Sequence, residues 1–451
     1  MLPKIKHFPV NWADGMLIDK QHFIDHDNAL YDQVRDGLAQ NMTNFNYGLL
    51  TPLQGEDKSL QLWVNVEDAN AVKIKVLSCR AVTRGGARIE IGKEQDESVN
   101  VPFNVLEAEY DLSDIKNQEF DIIIVVNPFK RMPIGAPDPE ENPPRHLFTM
   151  PQYLIEIVAS NQVNRSEFTA FHIPIGRLQA KVGRVKFAEY YVPPCTSLES
   201  HPILTKRYQD NITLLSDWTA TMTQIIRKIK SKSEPSPLSK NTAFLIERLT
   251  FFIADTVDEF RLTCLEKSPL FLVAYFMRFA RTFKTTLRCM VEDDREELLN
   301  YLSDWIEETP GEFDNLLNSI MQIEYDHYDS RSAFEQIDKL IDTIQLLLTK
   351  LKHLDYIGHK KDANKIEEKS ESKLEFNEAM KQKIKDELKP EIKEELKPEI
   401  KGELKPEIKE ELLEELREVP EPVIEVEAEA KKVSFIVKKG GATIVDKDVT
   451  R

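Results

Sequence analysis

The chain has 451 residues, enough for roughly two to four domains with a real apolar core. A net charge of −17 with 30% charged residues argues against a general nucleic-acid role, because an acidic surface repels the phosphate backbone. Cys79, Cys195, Cys264 and Cys289 are scattered without CxxC spacing, so neither a zinc site nor a disulfide framework is expected.

The N-terminus lacks a charged-then-apolar leader pattern, since Trp12 and Asp14 stand where an apolar region is needed. The most apolar stretch, Pro269 to Met277, is far shorter than the ~20 residues of a spanning helix. A soluble cytoplasmic protein without direct membrane insertion is the expectation. The opening segment then stands out: Asn11-Trp12-Ala13-Asp14-Gly15-Met16-Leu17-Ile18-Asp19-Lys20-Gln21-His22-Phe23.

This order of Trp, Gly, Met-Leu and Gln-His-Phe resembles the start of the TssK family, the trimeric baseplate subunits of type VI secretion systems. Lys20 stands where the family often has Pro. The resemblance implies a structural homotrimer of a contractile injection system and not an enzyme. It implies a β-sandwich shell facing a TssF–TssG wedge, and a helical neck directed at the membrane complex, at the inner face of the cytoplasmic membrane. Trp12, Gly15, Met16, Leu17, Gln21, His22 and Phe23 are accordingly candidate partner-binding residues. Aromatic and Met anchors favour interface cores, while packing on the edge of the chain's own sandwich is the alternative use for the apolar ones.

His22 and His26 are four apart and fit one helix face, but no third ligand has an evident place, so local packing is the expectation and no metal site is assigned. Residues up to Pro194 read as β-rich. Leu60–Val66 and Val72–Val76 alternate apolar and polar, the pattern of strands with one wet face. Ile122-Ile123-Ile124-Val125-Val126 suits a strand buried on both sides, and Tyr153–Val158 and Phe168–Ile173 add two more. Short strands with turn signals such as Arg84-Gly85-Gly86 argue for a sandwich over residues 1–195.

Six prolines between Asn127 and His146 predict a long rigid surface loop, excluding both a helix and a central strand. It too resembles the TssK family, which makes Pro143, Pro144 and Arg145 candidate partner contacts. Arg177 and Tyr191-Val192-Pro193-Pro194 fit the same family pattern.

From Ser200 the period changes to threes and fours: Leu204, Tyr208, Ile212, Leu215, Trp218, Met222, Ile225 and Ile229 line one face of a long helix. Further helices are predicted over about 239–266, from Ser268-Pro269 onward, and on either side of Thr309-Pro310-Gly311. The last carries Phe334, Ile337, Ile341, Ile344, Leu348 and Leu351 at spacings of 3, 4, 3, 4, 3, a heptad seam. The pattern alone fits a seam within one chain as well as one between chains; the resemblance favours a trimer seam in a coiled-coil neck over residues 196–357.

Past Gly358, Pro390, Pro398 and Pro406 recur every eight residues in near-copies of Lys-Pro-Glu-Ile, which predicts an extended charged tether over residues 358–419. Residues 420–451 end in two β-branched runs around Gly440-Gly441, a hairpin candidate with Phe435, Val437 and Ile444; a disordered end is the other reading. TssK typically ends in a compact head, so the partner reached by this tail, a membrane-complex protein, has no sequence-evident identity. The fold class expected is α+β and multidomain: sandwich, helical bundle and extended tail. No catalytic, cofactor-binding or metal-binding set is present in sequence: no GxSxG, Walker A, HExxH or GxGxxG. A trimeric phage-tail-like receptor-binding or adaptor protein is the alternative function.

Overall fold

Asp19 starts the first element. Its carboxylate accepts from the amides of Gln21 and His22, capping α1 (Lys20–Ala39). The sequence reading made this region a short segment ahead of the sheets; it is a helix of 20 residues. The computed structural model describes residues 5–66, 71–92, 106–111, 118–160, 170–181, 184–306 and 308–358. The expected octad tether beyond Gly358 and the tail hairpin with Phe435, Val437, Gly440, Gly441 and Ile444 lie outside the described residues.

Two antiparallel sheets follow. In the first, β3 (Ala71–Val82) pairs with β1 (Gly48–Leu49), β2 (Leu60–Val66), β4 (Arg88–Ile91) and β5 (Leu106–Asp111). Val72, Ile74 and Val76 point into the core and Lys73 and Lys75 away from it, as period-2 alternation dictates. The second runs β7-β6-β8-β9, with β6 at Gln118–Pro137, β7 at His146–Ala159, β8 at His172–Lys181 and β9 at Arg184–Phe187. Ile122, Ile123 and Ile124 are all fully buried, matching the unbroken β-branched run. The sheets meet where the Tyr110 hydroxyl donates to Ile155 O and where the Tyr153 hydroxyl accepts from the Glu90 amide at 3.3 Å. A Cβ on Gly176 would come within 3.0 Å of the Leu62 and Phe187 side chains, so glycine lets the layers close.

The proline-rich segment departs from the loop expectation. β6 runs on to Pro137 and β7 starts at His146, so only residues 138–145 are turn. β8 pairs with β6 only through Val125. Beyond it, among the described residues, β6 pairs with β7 alone, in an arm with Met132 opposite Met150 and Ile134 opposite Phe148. An edge tolerates residues with no N–H, and Pro128 sits in the register shift between Asn127 and Arg131.

The helices match the periodicity closely. They are α2 (Pro202–Lys230), α3 (Pro237–Thr263), α4 (Leu270–Arg288), α5 (Glu292–Ser303), α6 (Pro310–Met321) and α7 (Arg331–His353). Every residue predicted for the inner face of α2 is buried there except Ile212, which is half-buried. Pro237 and Pro310 occupy first-turn positions, where a missing N–H costs nothing.

The β and α parts are joined by backbone. The Leu49 amide donates to Pro194 O at 2.7 Å and the Thr196 amide to Leu49 O at 2.9 Å. Gly48 makes this possible with φ 122°, in the left-handed region, because any Cβ there would sit 2.0 Å from Pro194 O. Nearby, His327 Nε2 lies 2.8 Å from Tyr47 O and its Nδ1 lies 2.9 Å from the Tyr325 hydroxyl. A carbonyl only accepts, so Nε2 carries the proton and Nδ1 takes the tyrosine hydrogen.

Burial pushes the His327 pKa down to about 4, against the opposing pull of the Tyr47 carbonyl. Between about 4 and its ordinary value near 6.5, the unfolded chain therefore binds the proton and the folded chain does not. Stability is expected to fall as pH drops through this window, by at most about 1.4 kcal/mol per pH unit from this residue, and to level off below it. Urea denaturation from pH 7 to 4 measures the slope; a His327→Gln variant with an unchanged slope would assign the loss to other groups.

Candidate partner-binding surface

The inner face of α1 is polar. Asn28, Asp32 and Arg35 are buried, and Asp32 and Arg35 are only 3% and 5% exposed. Asp32 binds Arg35 at 3.1 Å and His7 Nδ1 at 2.7 Å, while Arg35 also lies over the Phe171 ring. Arg131, at the base of the β6–β7 arm, donates to Asp27 at 2.9 Å and to Asn28 at 3.1 Å. Phe129 completes the anchor, its ring tilted against His7 and edge-on to Tyr31.

The outer face is the reverse. Phe23, Leu30, Val34 and Leu38 are exposed along α1, and Ile5, Phe8, Trp12, Leu17 and Ile18 are exposed ahead of it. Leu17 is 89% exposed, the largest such value among the exposed large apolar side chains of the described residues. Met132, Leu147 and Phe148 add apolar surface on the arm. An ordinary surface helix hides its apolar stripe; this one hides charge and shows carbon.

Each sequence-predicted residue has a definite place here. Gly15 turns the chain with φ 77°, and the Met16 amide donates back to Ala13 O at 3.2 Å, leaving Met16 half-buried and Leu17 outward. Trp12 gathers His22, Phe23 and His26, with ring centroids 6.0–6.3 Å away. Gln21 donates to Asp25 at 2.7 Å, and His22 Nδ1 accepts the Asp19 amide, completing the cap. The cap amides hold the Asp19 carboxyl below its ordinary pKa, the His22 amide most of all. Gln21 and His22 thus shape the helix start, whereas Trp12, Leu17 and Phe23 supply the accessible surface. Pro143, Pro144 and Arg145 lie at the arm tip, where Arg145 pairs with Glu141 of the same turn and the Asn142–Pro143 bond is cis. The ties between α1 and the arm run through Arg131 at the other end.

The α7 residues fall elsewhere. Phe334, Ile337, Ile344, Leu348 and Leu351 are buried and Ile341 half-buried, all within the single chain. Ala333, Leu340, Thr343 and Leu347 are buried beside them, so the buried face is far wider than a two-position seam. The Arg207 guanidinium covers Phe334 and donates to Asp338 at 3.0 Å, Trp218 donates to Gln345 at 2.6 Å, and Lys228 reaches Leu354 O at 2.7 Å. Within the chain, α2 packs on the face that carries these residues.

Sequence reasoning missed Leu30, Val34 and Leu38 as surface. Their i, i+4 spacing behind Asp19 was the available signal. Among the described residues, no group of three or more His, Cys, Asp or Glu is placed to hold a metal ion. No helix among them is long and apolar enough to cross a membrane.

The fold is similar to that of solved TssK structures. A crystal structure of TssK matches with a TM-score of 0.44 at 14% identity, over 75% of this chain and 69% of that one. The baseplate complex from the type VI secretion system matches at 0.45 and 13%, over 76% and 70%. A TssK–TssF–TssG baseplate subcomplex solved by cryo-electron microscopy matches at 0.39 and 12%, over 75% and 99%. No protein-family model matches the sequence, and no curated protein does.

Proposed function

We propose that this chain is a structural baseplate component of a type VI secretion system, acting as a scaffold and not as an enzyme. Its role is to link wedge proteins of the TssF and TssG kind to the membrane complex. The observation that carries this is the exposed opening segment. The residues whose order resembles the start of TssK, above all Trp12, Leu17 and Phe23, stand at the surface and not in the chain's own core. Large apolar side chains exposed on and just ahead of a capped helix favour a protein partner over water.

The wedge proteins contact this segment, and several identical copies, three by the family resemblance, act together. Joined copies raise the effective concentration of each later contact without tight individual sites. The membrane side is reached through residues beyond Gly358.

Co-purification with TssF and TssG wedge proteins tests the reading. The full chain is expected to capture the wedge, and a Trp12→Ala, Leu17→Glu variant to lose at least about tenfold in affinity, the scale of two central anchors. Capture by the variant at wild-type strength, or no capture by the wild type, overturns it.

A further inference from the structure

We propose that a strand from this chain's own C-terminal region, Val433–Val437, adds to the outer edge of the β6–β7 arm alongside His146–Met150. The contact lies within one chain, so it stands or falls apart from the baseplate reading.

The arm is an incomplete sheet. A ribbon of two strands is marginal in water, and a third strand or a packed face is what ordinarily stabilises one. Arg131 and Phe129 fasten its base to α1. From Met132 to the tip, β6 and β7 have only each other as strand partners among the described residues. The pairs Met132–Met150 and Ile134–Phe148 put four apolar side chains on one face, and Met132 and Phe148 are exposed there.

Prolines determine which edge can take a strand. Pro133 is paired with Thr149. A proline has no N–H to give to the ladder, so this is a non-hydrogen-bonded pair, in which both residues turn N–H and C=O positions away from each other. The outer edge of β6 therefore lacks a donor at Pro133, whereas the outer edge of β7 offers the Thr149 amide and carbonyl. His146–Met150 contains no Lys, Arg, Asp, Glu or Pro, the usual guards of an open edge. Pro151 closes the stretch, and farther along β7 the Tyr110 hydroxyl already occupies Ile155 O.

Pattern and charge select the occupant. Lys431-Lys432-Val433-Ser434-Phe435-Ile436-Val437-Lys438-Lys439 is β-prone, and alternation puts Val433, Phe435 and Val437 on one side, where they extend the Met132–Phe148 face. It has four lysines and no acid in a chain of net charge −17. The arm tip is its complement, since Asp138, Glu140 and Glu141 outnumber Arg145 there. Residues 359–432 reach about 45 Å as a flexible coil and much farther when extended. A segment tied to the same chain docks at a high effective concentration, so a short strand suffices.

Amide hydrogen exchange on the full-length protein tests the contact at Thr149. Its amide is expected to exchange at least about tenfold more slowly in wild type than in a Phe435→Pro variant, which removes both the ring and a strand N–H. Deleting residues 420–451 is expected to give the same change, and serves if the proline variant does not fold. Equal rates overturn the proposal: fast in both means that no strand docks, slow in both that another segment covers the edge. Protection that disappears on dilution means that the strand comes from another molecule, and overturns it as well.

Discussion

Replacing Ile344 by aspartate is expected to unfold the helical part of the protein, not to release intact subunits. Ile344 is 1% exposed and sits in the wide apolar face that α7 turns to the bundle. The substitution gives up about 2–3 kcal/mol of side-chain burial and adds the cost of a carboxylate without a partner in an apolar setting. A total above about 4 kcal/mol consumes much of the stability of an ordinary domain. Ile341→Asp, at a half-buried position one turn earlier, is the internal control and should cost clearly less. Urea denaturation followed by circular dichroism measures both. An Ile344→Asp protein that stays folded and merely loses mass would return the α7 seam to a contact between copies.

The second large effect is expected at Arg177. This guanidinium is 3% exposed, donates to Asp121 at 2.7 Å, binds Asp329 ahead of α7, and lies 4.6 Å from the centre of the Tyr191 ring. Burial pulls its pKa down, but its bonds to Asp121 and Asp329 outweigh that and hold it above the ordinary value. Asp121 is 1% exposed, and the Ser160 hydroxyl at 2.8 Å and the Tyr328 side chain also bond to it. Arg177→Met therefore strands a buried carboxylate and is expected to cost about 3–5 kcal/mol. Adding Asp121→Leu should recover part of the loss, because it removes the most deeply buried carboxylate of the cluster, while Asp329 and Glu119, which also face Arg177, keep some access to water. A single-variant loss below about 1 kcal/mol, or no recovery in the double variant, would show that the cluster is not what holds β8 to β6 and to the segment before α7.

The two cases mark where sequence reasoning ends. The inner face of α2 was legible from Leu204 to Ile229 because a helix repeats every 3.6 residues and burial must follow that repeat. Alternation in β3 and the unbroken Ile122–Ile124 run were legible for the same local reason. Arg177 is different. Nothing near it in sequence announces that Asp121 and Asp329, 56 and 152 positions away, converge on it.

The same division holds for the candidate surface. The opening residues from Trp12 to Phe23 drew attention by type and order, but their exposure depends on what α1 packs against, namely Arg131 and Phe129 from the arm. The arm was hidden by its own prolines, since whether a proline breaks a strand depends on whether β8 still runs beside it. By itself, then, the sequence determined most of the helices and strands, α1 and the proline-rich arm apart, and which face of most of them is apolar. Only the tertiary structure decided what each face meets: α7 against its own α2, and α1 with its charges inward and its carbon to solvent. The reason is physical. Backbone geometry sets a period from neighbouring residues, whereas the partner of a buried face is chosen among distant segments competing to cover it.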